Sequence, residues 1–293
     1  MWQAVFVRDA LLRAHSGLHI ELVGITTEGD RTLDVPLAEK GGKGLFLKEL
    51  EQALLDGRID LAVHSMKDVT VTEPDGLHIP VICEREDPHD ALVSTRFGDL
   101  RELPDGAVVG TCSLRRQSLL RYRFPQLKVE NLRGNVNRRL QRLDDGDFDA
   151  IILAAAGLLR LQMAGRIRQR IPTGIMLPAV GQGAVGVQCR SDDADTTALL
   201  MPLDHALTHA RITAERAANA YLGGGCHVPI GAFAEIEGEQ LYLRGLVGRP
   251  DGSEILFASA KGLVSEAEAV GHTLADDLLG QGAKALLQEF ANA

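Results

Sequence analysis

Aromatic residues and cysteines are scarce in this chain. Phe, Trp and Tyr together make up 4% of the 293 residues, and the four cysteines, Cys83, Cys112, Cys189 and Cys226, lie far apart. None of them forms a Cys-x-x-Cys pair, so neither a zinc finger nor a thioredoxin-like site is expected. No group of His, Cys and carboxylate residues has the spacing of metal ligands, so we expect no metal.

Long apolar runs are absent as well. No apolar run reaches the roughly 18 residues that would span a bilayer. Residues 1–8 contain no basic stretch followed by an apolar one, so we expect no signal peptide. Together with the scattered cysteines, these absences predict a protein of the reducing cytoplasm that binds no membrane.

The charge balance limits the possible partners. The net charge is −9, which disfavours general binding to nucleic acid. Residues 101–170, however, hold 14 Lys and Arg against 7 Asp and Glu, with few aromatic residues among them. A basic segment in an acidic protein attracts anions to one place. From charge alone the segment is equally well explained by an anion-binding site or by the solvated faces of ordinary helices.

The order of predicted elements indicates three domains. Strand-like and helix-like segments alternate through the first two thirds of the chain, which is typical of α/β domains. Residues 84–88 are a charged connector that ends in proline, and residues 178–183 mix proline with glycine, so both are candidate linkers. We predict two α/β domains and a small C-terminal α+β domain. Their boundaries are 1–83 with 184–201 for domain 1, 89–177 for domain 2 and 206–293 for domain 3.

The apolar periodicity predicts individual elements. Helices are expected at 2–15, 44–56, from 114, 138–144, 155–161, 208–222 and over most of 265–291. Strands are expected at 19–26, 59–64, 107–111, 127–132, 150–154, 232–237 and 240–247.

Arginines follow three successive predicted strands of domain 2. They are Arg115 with Arg116, then Arg133, then Arg160. Guanidinium groups beside the backbone N–H groups of a helix start form a strong anion site. Arg115 and Arg116 fall in the first turn of their helix and oppose its dipole, a position that stability alone would not favour. The alternative is a capped helix with exposed arginines.

Cys226 lies in the glycine-rich run GGGCHVPIG at 223–231. Glycines open backbone conformations closed to other residues and let a large group approach closely. A thiolate in such a place is a competent nucleophile. Cys83 and Cys189 lie in apolar runs and are expected to be structural, and nothing near Cys112 makes it a nucleophile.

Asp68 follows Lys67 just after the strand predicted at 59–64, at an end where open α/β sheets place ligands. Its carboxylate could stabilise a cation formed in a reaction or move protons. It could equally cap the start of a helix, and the sequence leaves both possibilities open. His64, which ends the same strand, is expected to be a hydrogen-bonded structural histidine.

Seven runs, in order along nearly the whole chain, resemble the porphobilinogen deaminase family. They are GGKGLFLK at 41–48, VHSMKD at 63–68, CEREDP at 83–88, GTCSLRRQ at 110–117, LRGNV at 132–136, PAVGQGAVG at 178–186 and GGCHVPIG at 224–231. The resemblance implies two α/β domains like those of periplasmic binding proteins, plus the small C-terminal domain. It also implies a cytoplasmic, monomeric transferase of heme and tetrapyrrole biosynthesis that condenses four porphobilinogen molecules into hydroxymethylbilane.

The resemblance assigns roles to residues of this sequence. A dipyrromethane cofactor would be joined by a thioether to Cys226, and Asp68 would be the essential carboxylate. The residues matching cofactor- and substrate-binding positions are Lys67, Thr111, Ser113, Arg115, Arg116, Arg133, Arg139, Arg160 and Gln182. An inactive or non-catalytic protein of the same fold that binds an anionic ligand is the alternative.

One departure concerns the start of the chain. The family places a strand and an Arg-x-Ser segment before the helix that here starts at Trp2, and this sequence has neither. We therefore expect that a functional N-terminal segment is missing from the sequence as given.

Overall fold

The computed structural model describes residues 1–27, 47–224 and 228–291. The helices are α1 (Trp2–Ala14), α2 (Lys48–Leu55), α3 (Leu114–Arg123), α4 (Val136–Asp144), α5 (Ala155–Arg160), α6 (Ala194–Leu200), α7 (Ala206–Tyr221), α8 (Ala267–Gly280) and α9 (Ala283–Ala291). The strands are β1 (Leu61–Ser65), β2 (Leu77–Ile82), β3 (Asp90–Val93), β4 (Val108–Gly110), β5 (Lys128–Glu130), β6 (Ala150–Ala154), β7 (Gln169–Ile171), β8 (Val185–Arg190), β9 (Ile230–Glu237), β10 (Gln240–Gly248) and β11 (Ile255–Leu263). No helix among the described residues is long and apolar enough to cross a membrane.

The strands form three sheets. Sheet 1 has the order β1-β8-β2, sheet 2 the order β5-β4-β6-β3-β7, and sheet 3 the order β11-β10-β9. In sheet 2, β4 pairs parallel with β5 and β6, whereas β3 pairs antiparallel with β6 and β7. The pairs of sheets 1 and 3 are antiparallel. Two α/β units and a smaller α+β unit confirm the predicted fold class, while the domain boundaries stay a prediction.

Each sheet buries apolar side chains against helices. Val7 of α1 packs in one cluster with Val187 of sheet 1. In sheet 2 the first four residues of β6 are all buried, as expected of a central strand covered on both faces. In sheet 3 the covering helices are α7 and α8, and Leu274 of α8 shares a cluster with Leu243 of β10.

Two crossover segments, 83–89 and 178–184, join sheet 1 to sheet 2 and lie beside each other. The backbone N–H of Cys83 donates to the carbonyl of Val185 at 2.9 Å, and that of Glu86 donates to the carbonyl of Gly183 at 3.1 Å. Gly183 has a φ of +89°, and a Cβ there would overlap the carbonyl oxygen of Glu86. Only glycine therefore fits this close approach.

Most predicted elements are confirmed with shifted ends, one predicted strand is absent, and β3, β7, β11 and α6 are not among the predicted elements. Residues 19–26 are not a strand, because they have no ladder partner among the described residues, although Ile20 packs against the apolar cluster of sheet 1. The third strand of sheet 3, β11, is not predicted by the sequence. Of the helix expected at 44–56, positions 44–46 lie outside the described residues, and α2 begins at Lys48 after its N-cap Leu47.

Candidate active site

Three parallel strands of sheet 2 end side by side. β4 pairs in parallel register with both β5 and β6, so the segments that follow all three strands leave the same edge of the sheet. These segments carry Arg115 with Arg116, Arg133 and Arg160. The carboxyl edge of such a sheet is where open α/β folds bind ligands.

Arg115 and Arg116 at the start of α3 bind an internal carboxylate. They are 3% and 6% exposed, and Asp90, at the start of β3, is 0% exposed. Arg115 Nη1 donates to Asp90 Oδ2 at 2.7 Å, and Arg116 Nε donates to Oδ1 at 2.9 Å. Burial alone would raise the pKa of Asp90, but the two guanidinium charges lower it to about 2. The alternative of exposed arginines on a capped helix is therefore wrong.

The two arginines face different surroundings. Arg115 Nη1 also donates to the carbonyl of Leu177 at 2.5 Å, and a Cβ at Gly231 would come within 3.1 Å of Arg115 Cδ. Arg116 lies close enough to Lys67 and Arg139 for its charge to lower the pKa of both. Arg115 therefore faces the junction with sheet 3, whereas Arg116 faces other cations.

Gln182 and Thr111 make internal hydrogen bonds. Gln182, in the second crossover, is 1% exposed, and its Nε2 donates to the carbonyl of Pro88 at 2.7 Å and to Asp90 Oδ1 at 3.0 Å. Thr111 is buried, and its Oγ1 accepts from the backbone N–H of Ser113 at 3.2 Å. Ser113 is the N-cap of α3, but its hydroxyl makes no capping hydrogen bond.

Lys67 and Asp68 follow β1 in a short 3-10 helix, Met66–Asp68. Ser65 is the N-cap of this helix, so the suggestion that Asp68 is an N-cap is wrong. Both side chains are reached by solvent. The pKa of Lys67 is nevertheless lowered, chiefly because the surrounding protein desolvates the ammonium group; Arg116 adds to the decrease and Asp68 opposes it.

Arg139 brings a further cation to Asp68. It lies half-buried on α4, where its Nη2 is 4.0 Å from Cys112 Sγ. Desolvation lowers the pKa of Arg139, Cys112 and Asp68 oppose this decrease, and the charge of Arg133 adds to it. Arg139 therefore lies near both Asp68 and Arg133.

Arg160 lines a cavity of about 300 Å³ together with Lys67. Its Nη2 donates to the carbonyl of Gly183 at 2.7 Å, and its guanidinium carbon is 5.5 Å from the centre of the Trp2 ring. Its Nε is buried and has no hydrogen-bond partner among the described residues. Burial lowers the pKa of Arg160. A buried, unpaired N–H on a half-buried cation beside a cavity fits an anionic ligand.

We name these five residues, Lys67, Asp68, Arg116, Arg139 and Arg160, the cationic cleft. The charge of Asp68 acts on Lys67 and Arg139, Arg116 lies near both of these cations, and Arg160 lines a cavity together with Lys67. Excess positive charge in a partly desolvated place suits a ligand with several carboxylates. The acetate and propionate groups of a dipyrromethane cofactor meet this requirement, so the residues present fit that group.

Cys226 lies outside the described residues, as do positions 225 and 227, and its role stays a prediction. The described chain leads up to it from α7, which ends at Tyr221 and is followed by Gly223 at a φ of +67°. Such a left-handed glycine is a common end to a helix.

Two residues of the site were not predicted from the sequence. Asp90 carries a usable signal, since an acid that opens the fully buried strand β3 must have a cationic partner. Trp2, the single tryptophan, gives no such signal, because only the fold brings it to Arg160.

Several solved structures show a partial similarity to this chain. A periplasmic substrate-binding protein of a Coxiella burnetii ABC transporter has a TM-score of 0.44 and 14% identity, covering 69% of this chain and 88% of that one. A methionine-bound nutrient-binding protein from Burkholderia cenocepacia has a TM-score of 0.42 and 15% identity over 68% and 86%. The VFT2 domain of Bordetella pertussis BvgS has a TM-score of 0.40 and 18% identity over 68% and 75%. With TM-scores below 0.5, nothing about this chain is inferred from them.

Two family models together match most of the sequence. Residues 1–198 match the dipyrromethane cofactor binding domain of porphobilinogen deaminase, and residues 209–280 match the C-terminal domain of the same family. The first match contains the whole cationic cleft, and the second begins within α7 and contains sheet 3. The chain therefore belongs to the porphobilinogen deaminase family.

Proposed function

We propose that this protein is a hydroxymethylbilane synthase. It would condense four porphobilinogen molecules head to tail, with loss of ammonia, into linear hydroxymethylbilane for heme and tetrapyrrole biosynthesis. The observation that carries the proposal is the cationic cleft around Asp68, inside the segment that matches the family's cofactor-binding domain.

The charge of the cleft suits this substrate. Each porphobilinogen unit brings one acetate and one propionate, so the condensed chain gains two carboxylates per unit. Lys67, Arg116, Arg139 and Arg160 are the cations that would pair with them. Each charge-assisted hydrogen bond contributes roughly 1.5–3 kcal/mol. We assign Arg133 and Ser113 to the same task, and Arg115, Thr111 and Gln182 to holding the binding groups in place.

Asp68 would act where positive charge develops. When the C–N bond of porphobilinogen breaks, the electron pair leaves with ammonia and an azafulvenium cation remains. A carboxylate close to that cation stabilises it. The same carboxylate would accept the proton that leaves the pyrrole carbon once the new C–C bond has formed.

Cys226 is the proposed attachment point of the dipyrromethane cofactor. When bound, this group supplies the pyrrole carbon on which the chain is started. Burial raises the pKa of the Cys83 thiol to about 11 and also raises that of Cys189, so neither is suited to be a nucleophile. Cys112 is half-buried beside Arg139 and is the natural control.

Intact mass and substrate consumption test the proposal. The purified wild-type protein should carry the mass of two pyrrole units and consume porphobilinogen. Cys226→Ser should show the mass of the bare chain and no consumption, whereas Cys112→Ser should retain both properties.

Two results would contradict the proposal in different ways. A fully active Cys226→Ser variant would remove the assigned attachment point. A wild-type protein of bare mass that binds porphobilinogen without consuming it would be the non-catalytic alternative of the same fold.

A further inference from the structure

One face of α7 packs against the segments that build the cationic cleft. Thr208 Oγ1 accepts from the backbone N–H of Arg85 in the first crossover at 3.2 Å. One turn later, Ile212 is fully buried in a cluster with Met66, against which Val69 also packs. Residues four apart share a helix face, so the next residue in this row is Arg216.

Asp68 itself has little direct support. Its side chain makes no hydrogen bond or ion pair with the described part of the chain. On its N-terminal side, the backbone N–H of Met66 donates to the carbonyl of Ala184 at 3.0 Å. The helix that contains Asp68 is closed by one bond of 3.3 Å, from the N–H of Val69 to the carbonyl of Met66. The position of Asp68 therefore depends on what holds the residues after it.

Arg216 holds those residues. Its Nη2 donates to the carbonyl of Thr70 at 3.0 Å and lies 3.8 Å from Glu73 Oε1. The side chain is only 16% exposed, and desolvation lowers its pKa while Glu73 opposes the decrease. Burying a guanidinium beside a weak ion partner costs free energy. A contribution to stability alone therefore does not explain this contact.

We propose that Arg216 is a positioning residue for Asp68. It fixes the segment after Asp68 against α7, the helix whose C-terminal end leads to Cys226. The segment after Asp68 is thereby held to the helix that precedes the predicted anchor in the chain. The inference rests on the proposed function, because it assigns Arg216 a part in that reaction.

A double-mutant cycle in the loaded enzyme tests the proposal, with kcat expressed per molecule that carries the attached group. Arg216→Ala should lower kcat on the order of 10-fold while leaving KM within about 3-fold, because misplacement affects the reacting geometry more than carboxylate binding. Adding Arg216→Ala to Asp68→Asn should cause no further loss, since the arginine acts through that carboxylate. Arg216→Lys keeps an N–H donor and should recover most of the activity.

The matched control is Arg211→Ala on the same helix, because Arg211 makes no hydrogen bond or ion pair within the described residues. Hydrogen exchange of residues 66–73 should become faster in Arg216→Ala and stay unchanged in Arg211→Ala. Unchanged hydrogen exchange of residues 66–73 in Arg216→Ala would overturn the proposal. So would a double variant whose loss of kcat is the product of the losses in the two single variants. An inactive wild-type protein would contradict the proposed function instead, and the exchange measurement would still decide whether Arg216 holds the segment.

Discussion

Asp90 carries one negative charge between two guanidinium groups, those of Arg115 and Arg116. All three side chains are buried, so removal of Asp90 would leave two uncompensated guanidinium charges inside the protein. The group as a whole keeps one net positive charge. Arg116 acts on both Lys67 and Arg139, whereas Asp90 partly offsets its effect at Lys67, so part of this charge adds to the cationic cleft.

Asp68→Asn separates a chemical role from a structural one. Asp68 neither caps its helix nor makes a hydrogen bond among the described residues, so the amide should leave the melting temperature nearly unchanged. Loss of its negative charge from the site of a developing cation should lower kcat by about 10²-fold or more. Steady-state kinetics and thermal melting of the two proteins check this, and a parallel loss of stability and turnover would count against the assigned role.

Individual site residues were predictable to different degrees. The strand ends that carry Arg115, Arg116 and Arg160 follow from apolar periodicity, because parallel strands bring their carboxyl ends together. The partner of the arginine pair did not follow, because Asp90 lies on a strand that runs antiparallel to its neighbours. The environment of Cys226 remains a prediction, since that residue lies outside the described chain.

At the scale of elements, the two crossovers determine how sheet 1 meets sheet 2. Gln182 links them through Pro88 and Asp90, while Glu215 of α7 accepts from Arg85 and from the backbone N–H of Gly181. Both crossovers are therefore fixed to each other and to α7. The two crossovers approach most closely where the backbone of Gly183 lies against the carbonyl group of Glu86, and this position leaves no room for a side chain.

Gly183→Ala should destabilise the protein more than Gly57→Ala. Both glycines have positive φ, at +89° and +68°, so both substitutions share the cost of that conformation. At Gly57 no atom lies within 4 Å of the new Cβ, whereas at Gly183 the new methyl group meets the backbone of Glu86. Urea unfolding should give a difference of about 1–3 kcal/mol between the variants. If both variants lost the same free energy of unfolding, the two crossovers would be able to move apart without an energetic cost.

Elements with strong apolar patterns were predictable, and those that depend on a partner were not. The continuous apolar run of β6 and the helical spacing of α1 identified both correctly. Residues 19–26 have strand-like composition, but a strand exists only when a neighbour completes its ladder. β11 alternates exposed Phe257, Ser259 and Lys261 with small residues, so its sequence gives only a weak apolar pattern.

At the scale of the whole molecule, buried titratable groups make stability depend on acidity. His64 is 5% exposed, its Nε2 donates to Gln188 Oε1 at 3.0 Å, and burial lowers its pKa to about 4. In the folded state it binds a proton more weakly than in the unfolded state, where its pKa is about 6.5. The free energy of unfolding should therefore fall as the pH drops from about 6.5 to about 4.

Asp90 causes a second decrease in the free energy of unfolding, at lower pH. Its pKa of about 2 lies below the ordinary value of 3.8, so its contribution is present above about pH 4 and is lost as the pH falls toward 2. His64→Gln keeps a hydrogen-bond donor for Gln188. It should weaken the pH dependence of the free energy of unfolding only in the upper range, between about pH 6.5 and about pH 4. Urea unfolding measured from pH 7 to pH 4 checks this, and an unchanged slope in His64→Gln would exclude His64 as its cause.

β8 is the middle strand of sheet 1, paired with β1 on one side and β2 on the other, yet it follows every strand of sheet 2 in the chain. On the ribosome, β1 and β2 must therefore emerge long before the strand that joins them. All strands of sheet 2 are available once Ile171 has been made, so the second unit can close before the first. Until β8 arrives, the nascent chain presents two strands with open edges, which are the kind of surface that chaperones cover and that aggregation exploits.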